Sequence, residues 1–93
     1  MTAAGASARL EIANRLGLHA RAARLLVETV RGFDAEVTLA RDDQVANARS
    51  ILEIMMLAAG PGTVLELSAV GPDAEAAVAA VCALAARRFD EEA

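Results

Sequence analysis

This sequence has little of what several common functions require. It has no tryptophan or tyrosine, and its two phenylalanines hold aromatics to 2%. A core with so few large rings is built from Val, Leu, Ile and Ala, as thin layers of helix on sheet. Strand-borne aromatics on which RNA bases could stack are not available either, since Phe33 and Phe89 lie at or near expected helix ends. Lysine is absent. All nine positive charges are arginines, set against 13 acids for a net charge of −4. Such a chain lacks the basic surface that general nucleic-acid binders use, so no nucleic-acid partner is expected. The single cysteine, Cys82, excludes an internal disulfide and any Cys-rich zinc site, and it fits a reducing cytoplasm. No apolar run approaches the roughly 18–20 residues of a membrane span. Met1 to Ala8 has neither the basic end nor the apolar block of a secretory signal and reads as a loose tail. The 93 residues then make one domain with one modest core.

What is present is a clear change of period along the chain. Arg9 to Ala13 alternates, with Leu10 and Ile12 inward, and Asn14 to Gly17 breaks the pattern as a loop. From Ala20 to Arg31, Ala23, Leu26, Val27 and Val30 recur at helical spacing, and Gly32 stands where a left-handed helix end is expected. Ala35 to Ala40 alternates again, and Arg41 to Gln44 is a polar turn into a short return strand, Gln44 to Asn47. Ser50 and Glu53 have capping-box spacing and open a second, short helix that stops at Gly60-Pro61-Gly62. Thr63 to Val70 is a strand with Leu65, Leu67 and Ala69 on one face. Asp73 then caps a final helix that runs to about Phe89. Its inward stripe is Ala77, Val78, Val81, Leu84 and Ala85, and Arg87 and Arg88 complement its C-terminal end. The order is strand, helix, strand, strand, helix, strand, helix, with the helices on one face of an antiparallel sheet.

The only histidine, His19, falls where the first loop meets the first helix. A helix N-terminus presents unpaired N–H groups and the positive end of the macrodipole, so acids are expected there. This sequence places Arg15 before the start and Arg21 and Arg24 in the opening turns, with no acid until Glu28. A bound anion would resolve that conflict, and functional sites tend to lie where local rules are broken. Positive surroundings also favour the neutral, nucleophilic ring. The N–H groups of Ala20 and Arg21, with the Arg21 guanidinium, could hold a phosphoryl group placed on it. Gly17 would let the backbone approach closely or take a conformation closed to other residues. With no second His and no Cys or carboxylate nearby, a zinc site is not expected. A plain alternative remains, in which His19 only caps the helix and the arginines are solvated.

The segment Asn14-Arg15-Leu16-Gly17-Leu18-His19-Ala20-Arg21-Ala22-Ala23 resembles the active-site signature of HPr, the histidine-containing phosphocarrier of the bacterial phosphoenolpyruvate-dependent phosphotransferase system. Val45 to Glu53 resembles that family's regulatory serine segment, and Met55 to Thr63 its continuation into the last strand. The likeness spans Arg9 to Arg88. It implies an α+β, HPr-like open-faced sandwich of order β-α-β-β-α-β-α, with a four-stranded antiparallel sheet and three helices on one face. The domain would occupy residues 9–89, between a flexible N-terminal tail at 1–8 and a C-terminal tail at 90–93. The resemblance further implies that His19 takes a phosphoryl group on Nδ1 from phosphorylated enzyme I and passes it to IIA-type acceptors, with Arg21 beside the phosphate. Such a protein is a stoichiometric phosphocarrier rather than an enzyme, cytoplasmic, monomeric and without a cofactor or metal. Two positions depart from the family's usual pattern. Ala22 stands where many members have proline, and Arg49 where many have lysine. Neither removes a reacting group.

Ser50 has two readings, as the cap of the second helix and, by the resemblance, as the target of an HPr kinase/phosphorylase. A phosphate there would set charge beside an apolar docking surface. On that helix Ile54, Leu57 and Ala58 form one arc, and Ile51, Leu52, Met55, Met56 and Ala59 another. A two-layer domain buries only one, so the second is expected to lie open as an interface, to which methionines are suited. With Arg15 and Arg24, residues Ile51, Leu52, Met55 and Met56 are the expected docking surface for partners. Two other classes compete with the carrier. One is an HPr-like regulator that docks without transferring phosphate, and the other an unrelated α/β binding module. One His without a paired base, nucleophile or metal cluster offers little to an autonomous enzyme.

Overall fold

In the computed structural model, which describes residues 5–91, the alternating segments pair into a single sheet. Strands β1 (Gly5–Glu11), β2 (Glu36–Arg41), β3 (Gln44–Asn47) and β4 (Val64–Val70) lie in the order β1-β4-β2-β3, every neighbouring pair antiparallel. The register sets Leu10 opposite Leu65, Leu39 opposite Leu67 and Val37 opposite Ala69, so one face of the sheet is apolar and buried. The other face is open and mixed, with Arg9, Thr38, Glu66 and Ser68 beside the exposed Val45, Val64 and Val70. There Arg9 Nε lies 3.5 Å from Glu66 Oε1 with both side chains exposed, an ion pair that adds little stability.

Three helices cover the apolar face: α1 (Ala20–Arg31), α2 (Ile51–Met56) and α3 (Ala74–Ala86). The expected stripe of α1, Ala23, Leu26, Val27 and Val30, is buried, and so is that of α3, Ala77, Val78, Val81, Leu84 and Ala85. Each large member of these stripes contributes about 1.5–3 kcal/mol by leaving water, and the alanines let α3 lie close on β1 and β4. The core is aliphatic apart from Phe89, which is 2% exposed. Among the described residues no helix is long and apolar enough to cross a membrane.

Several boundaries differ from the sequence expectation. Strand β1 begins at Gly5, not Arg9. Gly5 to Ala8 pair with Val70 to Leu67, so these residues belong to the sheet and only Met1 to Ala4 of the expected tail lie outside the described residues. Small side chains at Gly5, Ala6, Ser7 and Ala8 gave too weak an alternation to mark them. Helix α3 stops at Ala86, and Arg88–Asp90 form a short 3-10 turn that carries Phe89 into the core. Gly32 is right-handed (φ −74°), so the end of α1 needs no left-handed residue. Asp73 stands at the head of α3 without capping it. Its Oδ2 accepts from the Asp34 N–H at 2.7 Å and ties that turn to the start of β2 instead.

Candidate functional site

The loop from Asn14 to Leu18 is held by its own backbone. The Gly17 N–H donates to the Asn14 carbonyl at 3.2 Å, and the Leu18 N–H to the Ala59 carbonyl at 2.9 Å. The second bond fastens the loop to the chain just beyond α2. Gly17 has φ +65°, and a Cβ there would collide with the Ala59 carbonyl oxygen and lie 2.9 Å from Gly60 Cα. Both reasons given for a glycine at this position therefore apply. Asn14 is the only buried polar residue among those described, at 1% exposure. Its Nδ2 donates to the Gly17 carbonyl at 2.7 Å and to Glu91 Oε2 at 2.8 Å. Both partners are acceptors, which fixes the amide orientation and leaves Oδ1 without a partner.

His19 stands at the N-cap of α1 in extended conformation, and its carbonyl accepts the Ala23 N–H at 2.8 Å. The imidazole makes no capping bond, so the plain capping reading does not account for the ring. The ring is about one-third exposed, its side chain at 30%. No acid lies in the first turn. Ala20, Arg21 and Arg24 are exposed on the same opening turns, and Arg15 is exposed in the loop before them. Among the described residues the guanidinium groups of Arg15, Arg21, Arg24, Arg31 and Arg88 have no ion-pair or hydrogen-bond partner. Unpaired N–H donors at the helix head, with partnerless guanidinium groups on Arg15, Arg21 and Arg24 in the adjoining loop and opening turns, thus accompany a reachable ring.

One expectation fails here. The sequence places no carboxylate near His19, yet Glu91 Oε2 lies 3.8 Å from His19 Nε2. Glu91 belongs to the segment expected to be a C-terminal tail from residue 90. The 3-10 turn folds it back, and its carboxylate accepts from the Leu16 N–H at 3.2 and 3.3 Å as well as from Asn14. The Asn14 hydrogen bond is the main reason its acidity is increased, holding its pKa below the ordinary value of 4.5. Bonds from the Leu16 and Arg15 N–H groups and the charge of His19 act the same way, against a desolvation effect that raises it. Asn14, Arg15, Arg88 and Glu91 line a cleft of about 200 Å³ beside the loop. Among the described residues no group of metal-ligating side chains is assembled.

Helix α2 presents the expected apolar surface. Ile54 and Leu57 are buried, whereas Ile51, Leu52, Met55 and Met56 are exposed, Leu52 at 70%. Two assignments are exchanged: Ala58 is exposed and Ala59 is 4% exposed. The helix ends at Met56 and Ala58 takes φ +52°, so a rotation of 100° per residue no longer applies. Arg41 Nη1 donates to the Leu57 and Ala58 carbonyls at 2.9 and 2.7 Å and closes that end. At the other end Ser50 Oγ accepts the Glu53 N–H at 3.2 Å, as a cap should. Glu53 Oε1 reaches past Ser50 to the Asn47 N–H at 3.0 Å, so the box is completed one element earlier. Arg49 Nη2 donates to the Phe33 and Ala35 carbonyls at 3.0 Å each, a structural role. The structure thus fastens the His19 loop to the C-terminal end of α2 and sets Ser50 at the opposite end, about 9 Å away for six residues.

Known proteins are similar to this chain in sequence and fold. The sequence profile of the family described as the PTS HPr component phosphorylation site matches residues 6–87. Phosphocarrier protein NPr of Escherichia coli strain K12 is 46% identical over 84 residues, covering 89% of this chain and 93% of its own. Phosphocarrier protein HPr of Treponema pallidum is 43% identical over 83 residues, covering 89% and 94%. The crystal structure of HPr-C-His from Thermoanaerobacter tengcongensis superposes with a TM-score of 0.89 at 40% identity, covering 95% of this chain and 99% of that one. The strand order, the helices on one face and the histidine at the head of α1 thus go together with the profile match, and the chain is a member of the HPr family of phosphocarriers of the phosphotransferase system.

Proposed function

We propose that this protein takes a phosphoryl group from phosphorylated enzyme I on His19 Nδ1 and delivers it to IIA-type acceptors. The observation that carries the reading is a reachable ring at an uncapped helix head, with exposed arginines in the adjoining loop and opening turns and an exposed apolar surface on the adjoining helix. In this reading Arg21 and the Ala20 N–H bind the phosphoryl oxygens, since charged donors and a helix terminus both favour an anion. The bond on nitrogen forms and breaks reversibly, so the protein is consumed and regenerated stoichiometrically rather than turning over as an enzyme. Ile51, Leu52, Met55 and Met56, flanked by Arg15 and Arg24, receive each partner in turn, and the protein works as a cytoplasmic monomer.

Ser50 is the proposed regulatory site, for an HPr kinase/phosphorylase. Its hydroxyl stands at the helix start where a phosphate is tolerated, beside Ile51 and Leu52, whose docking the added charge would oppose. The test uses enzyme I and labelled phosphoenolpyruvate. The wild-type protein is expected to gain an acid-labile, base-stable label that it passes to a IIA protein and that His19→Ala abolishes. An unlabelled wild-type protein in the presence of active enzyme I overturns the proposal. Incubation with ATP and the kinase should label Ser50, and Ser50→Ala should remove that label.

A further inference from the structure

His19 has two ring nitrogens, and among the described residues the carboxylate contact is to Nε2. Glu91 Oε2 lies 3.8 Å from Nε2, too far for a direct hydrogen bond and close enough for its charge to be felt. The carboxylate does not reach this place by chance. Arg88, Phe89 and Asp90 all adopt left-handed backbone (φ 56, 54 and 57°), although none is glycine. Such residues each cost about 1–2 kcal/mol and persist where surrounding structure over-determines them. Here the buried Phe89 ring anchors the turn, and Arg87 Nε holds Asp90 Oδ1 at 3.0 Å. Glu91 then docks on the Asn14 amide and the Leu16 N–H, with its side chain only 13% exposed. Local strain is thus spent on putting one negative charge beside one edge of the ring.

We infer that Glu91 determines which nitrogen of His19 is phosphorylated, by closing Nε2 and leaving Nδ1 as the nucleophile. This rests on His19 being the phosphoryl acceptor. Two effects act in the same direction. A phosphorus atom on Nε2, with its three oxygens, does not fit beside an oxygen only 3.8 Å away, and its charge would meet the carboxylate directly. A carboxylate facing Nε2 also favours the tautomer with the proton there, which leaves the lone pair on Nδ1. In the reaction that lone pair forms the N–P bond while the donor's bond to phosphorus breaks and its electrons depart with the leaving group. The Nε2 proton stays on the ring. Glu91 touches neither the phosphorus nor the attacking atom and is therefore a positioning residue. Arg15 and Arg88, which line the same cleft, set the opposing positive charge.

Phosphoramidate tests this without any protein donor, because attack on it releases ammonia and needs no docking surface. Wild type, Glu91→Ala, Glu91→Gln and Glu91→Asp are phosphorylated with it, and the modified nitrogen is identified by 15N and 31P NMR. Wild type is expected to carry phosphate on Nδ1. In Glu91→Ala the ratio of Nε2 to Nδ1 product should rise by about tenfold or more. Glu91→Gln, which keeps an acceptor oxygen for Asn14, should lie between the two and so separate charge from bulk. Glu91→Asp should restore most of the wild-type selectivity. A variant that melts earlier but keeps the wild-type ratio would show a merely structural role and overturn the inference, as would a wild type labelled on Nε2 or not labelled at His19. Selective Nδ1 labelling by phosphoramidate without labelling by phosphorylated enzyme I would instead remove the carrier reading and leave this one standing.

Discussion

Replacing Gly17 by alanine should damage this protein more than the same change at either glycine after α2, and the structure gives the reason for each. At Gly17 the left-handed φ of +65° costs an alanine about 1–2 kcal/mol. The new Cβ also meets the Ala59 carbonyl and Gly60 Cα, which are main-chain atoms and cannot rotate aside. The loop must move, and the Leu18 to Ala59 hydrogen bond of 2.9 Å is lost with it, at about 1 kcal/mol more. The sum is about 2–3 kcal/mol, which for a domain of this size lowers Tm by on the order of 10–20 °C. Gly62 has φ +87° with no atom within 4 Å of a Cβ, so Gly62→Ala bears only the conformational part, about 1–2 kcal/mol. Gly60 has open space and no left-handed φ, and Gly60→Ala should be neutral or stabilising by about 0.4–1 kcal/mol. Thermal and urea unfolding of the three variants at equal concentration gives the ranking. If Gly17→Ala melts with Gly60→Ala, the close approach between the His19 loop and the chain beyond α2 is not as described.

Three further outcomes follow from particular bonds. Arg41→Met removes the donor that closes the Leu57 and Ala58 carbonyls, and urea unfolding should report a loss of about 1.5–3 kcal/mol; a loss below about 0.5 kcal/mol refutes the role. Ser50→Ala should cost about 1 kcal/mol as a lost cap, while Ser50→Asp keeps an acceptor oxygen and most of the stability; equal losses in the two would show that the cap is not what matters. The Glu91 carboxyl, followed by 13C NMR, should titrate below its ordinary value of 4.5, mainly because of Asn14. Since its folded-state pKa is depressed, the stability it adds is complete above the unfolded value and is lost as pH falls through the folded one. A midpoint at or above 4.5 contradicts the hydrogen bonds described.

How far the sequence could be read depended on whether a feature is local. Buried stripes on α1, α3 and β4 are periodic within a few residues, and Leu26, Val30, Leu65, Leu67, Val81 and Leu84 all lie in the core as their spacing requires. The arginines at the head of α1 were legible for the same reason, because dipole and charge act within one turn. Glu91 was not. It meets Asn14 and Leu16 across 77 and 75 residues of chain, and no periodicity encodes a contact of that range. The reversal that carries it back runs through three left-handed residues with β-carbons, for which sequence gives no cue such as glycine would. Asn14 could have been singled out as a polar residue that continues the inward alternation of Leu10 and Ile12. Its partner could not.

Positive charge is allocated unevenly along the chain. A net charge of −4 describes the whole chain and says nothing of where its nine arginines go. Four are engaged: Arg9 with Glu66, Arg87 with Asp90, Arg41 with the end of α2, and Arg49 with carbonyls of Phe33 and Ala35. Of those without a partner among the described residues, Arg31 lies in the last turn of α1, where the macrodipole accommodates it. Arg15, Arg21, Arg24 and Arg88 belong to the His19 loop, the opening turns of α1 and the turn that returns Glu91. An acidic protein therefore keeps four of the five arginines without a partner among the described residues on the segments that meet at its one imidazole. Partners that share this surface should associate more slowly as salt rises, since screening acts on exposed charge. Reversing the two helix charges, as Arg21→Glu with Arg24→Glu, should remove most of that salt dependence while leaving α1 folded, because acids suit its first turns. Persistence of the full salt effect in that double variant would mean that the steering charge lies elsewhere.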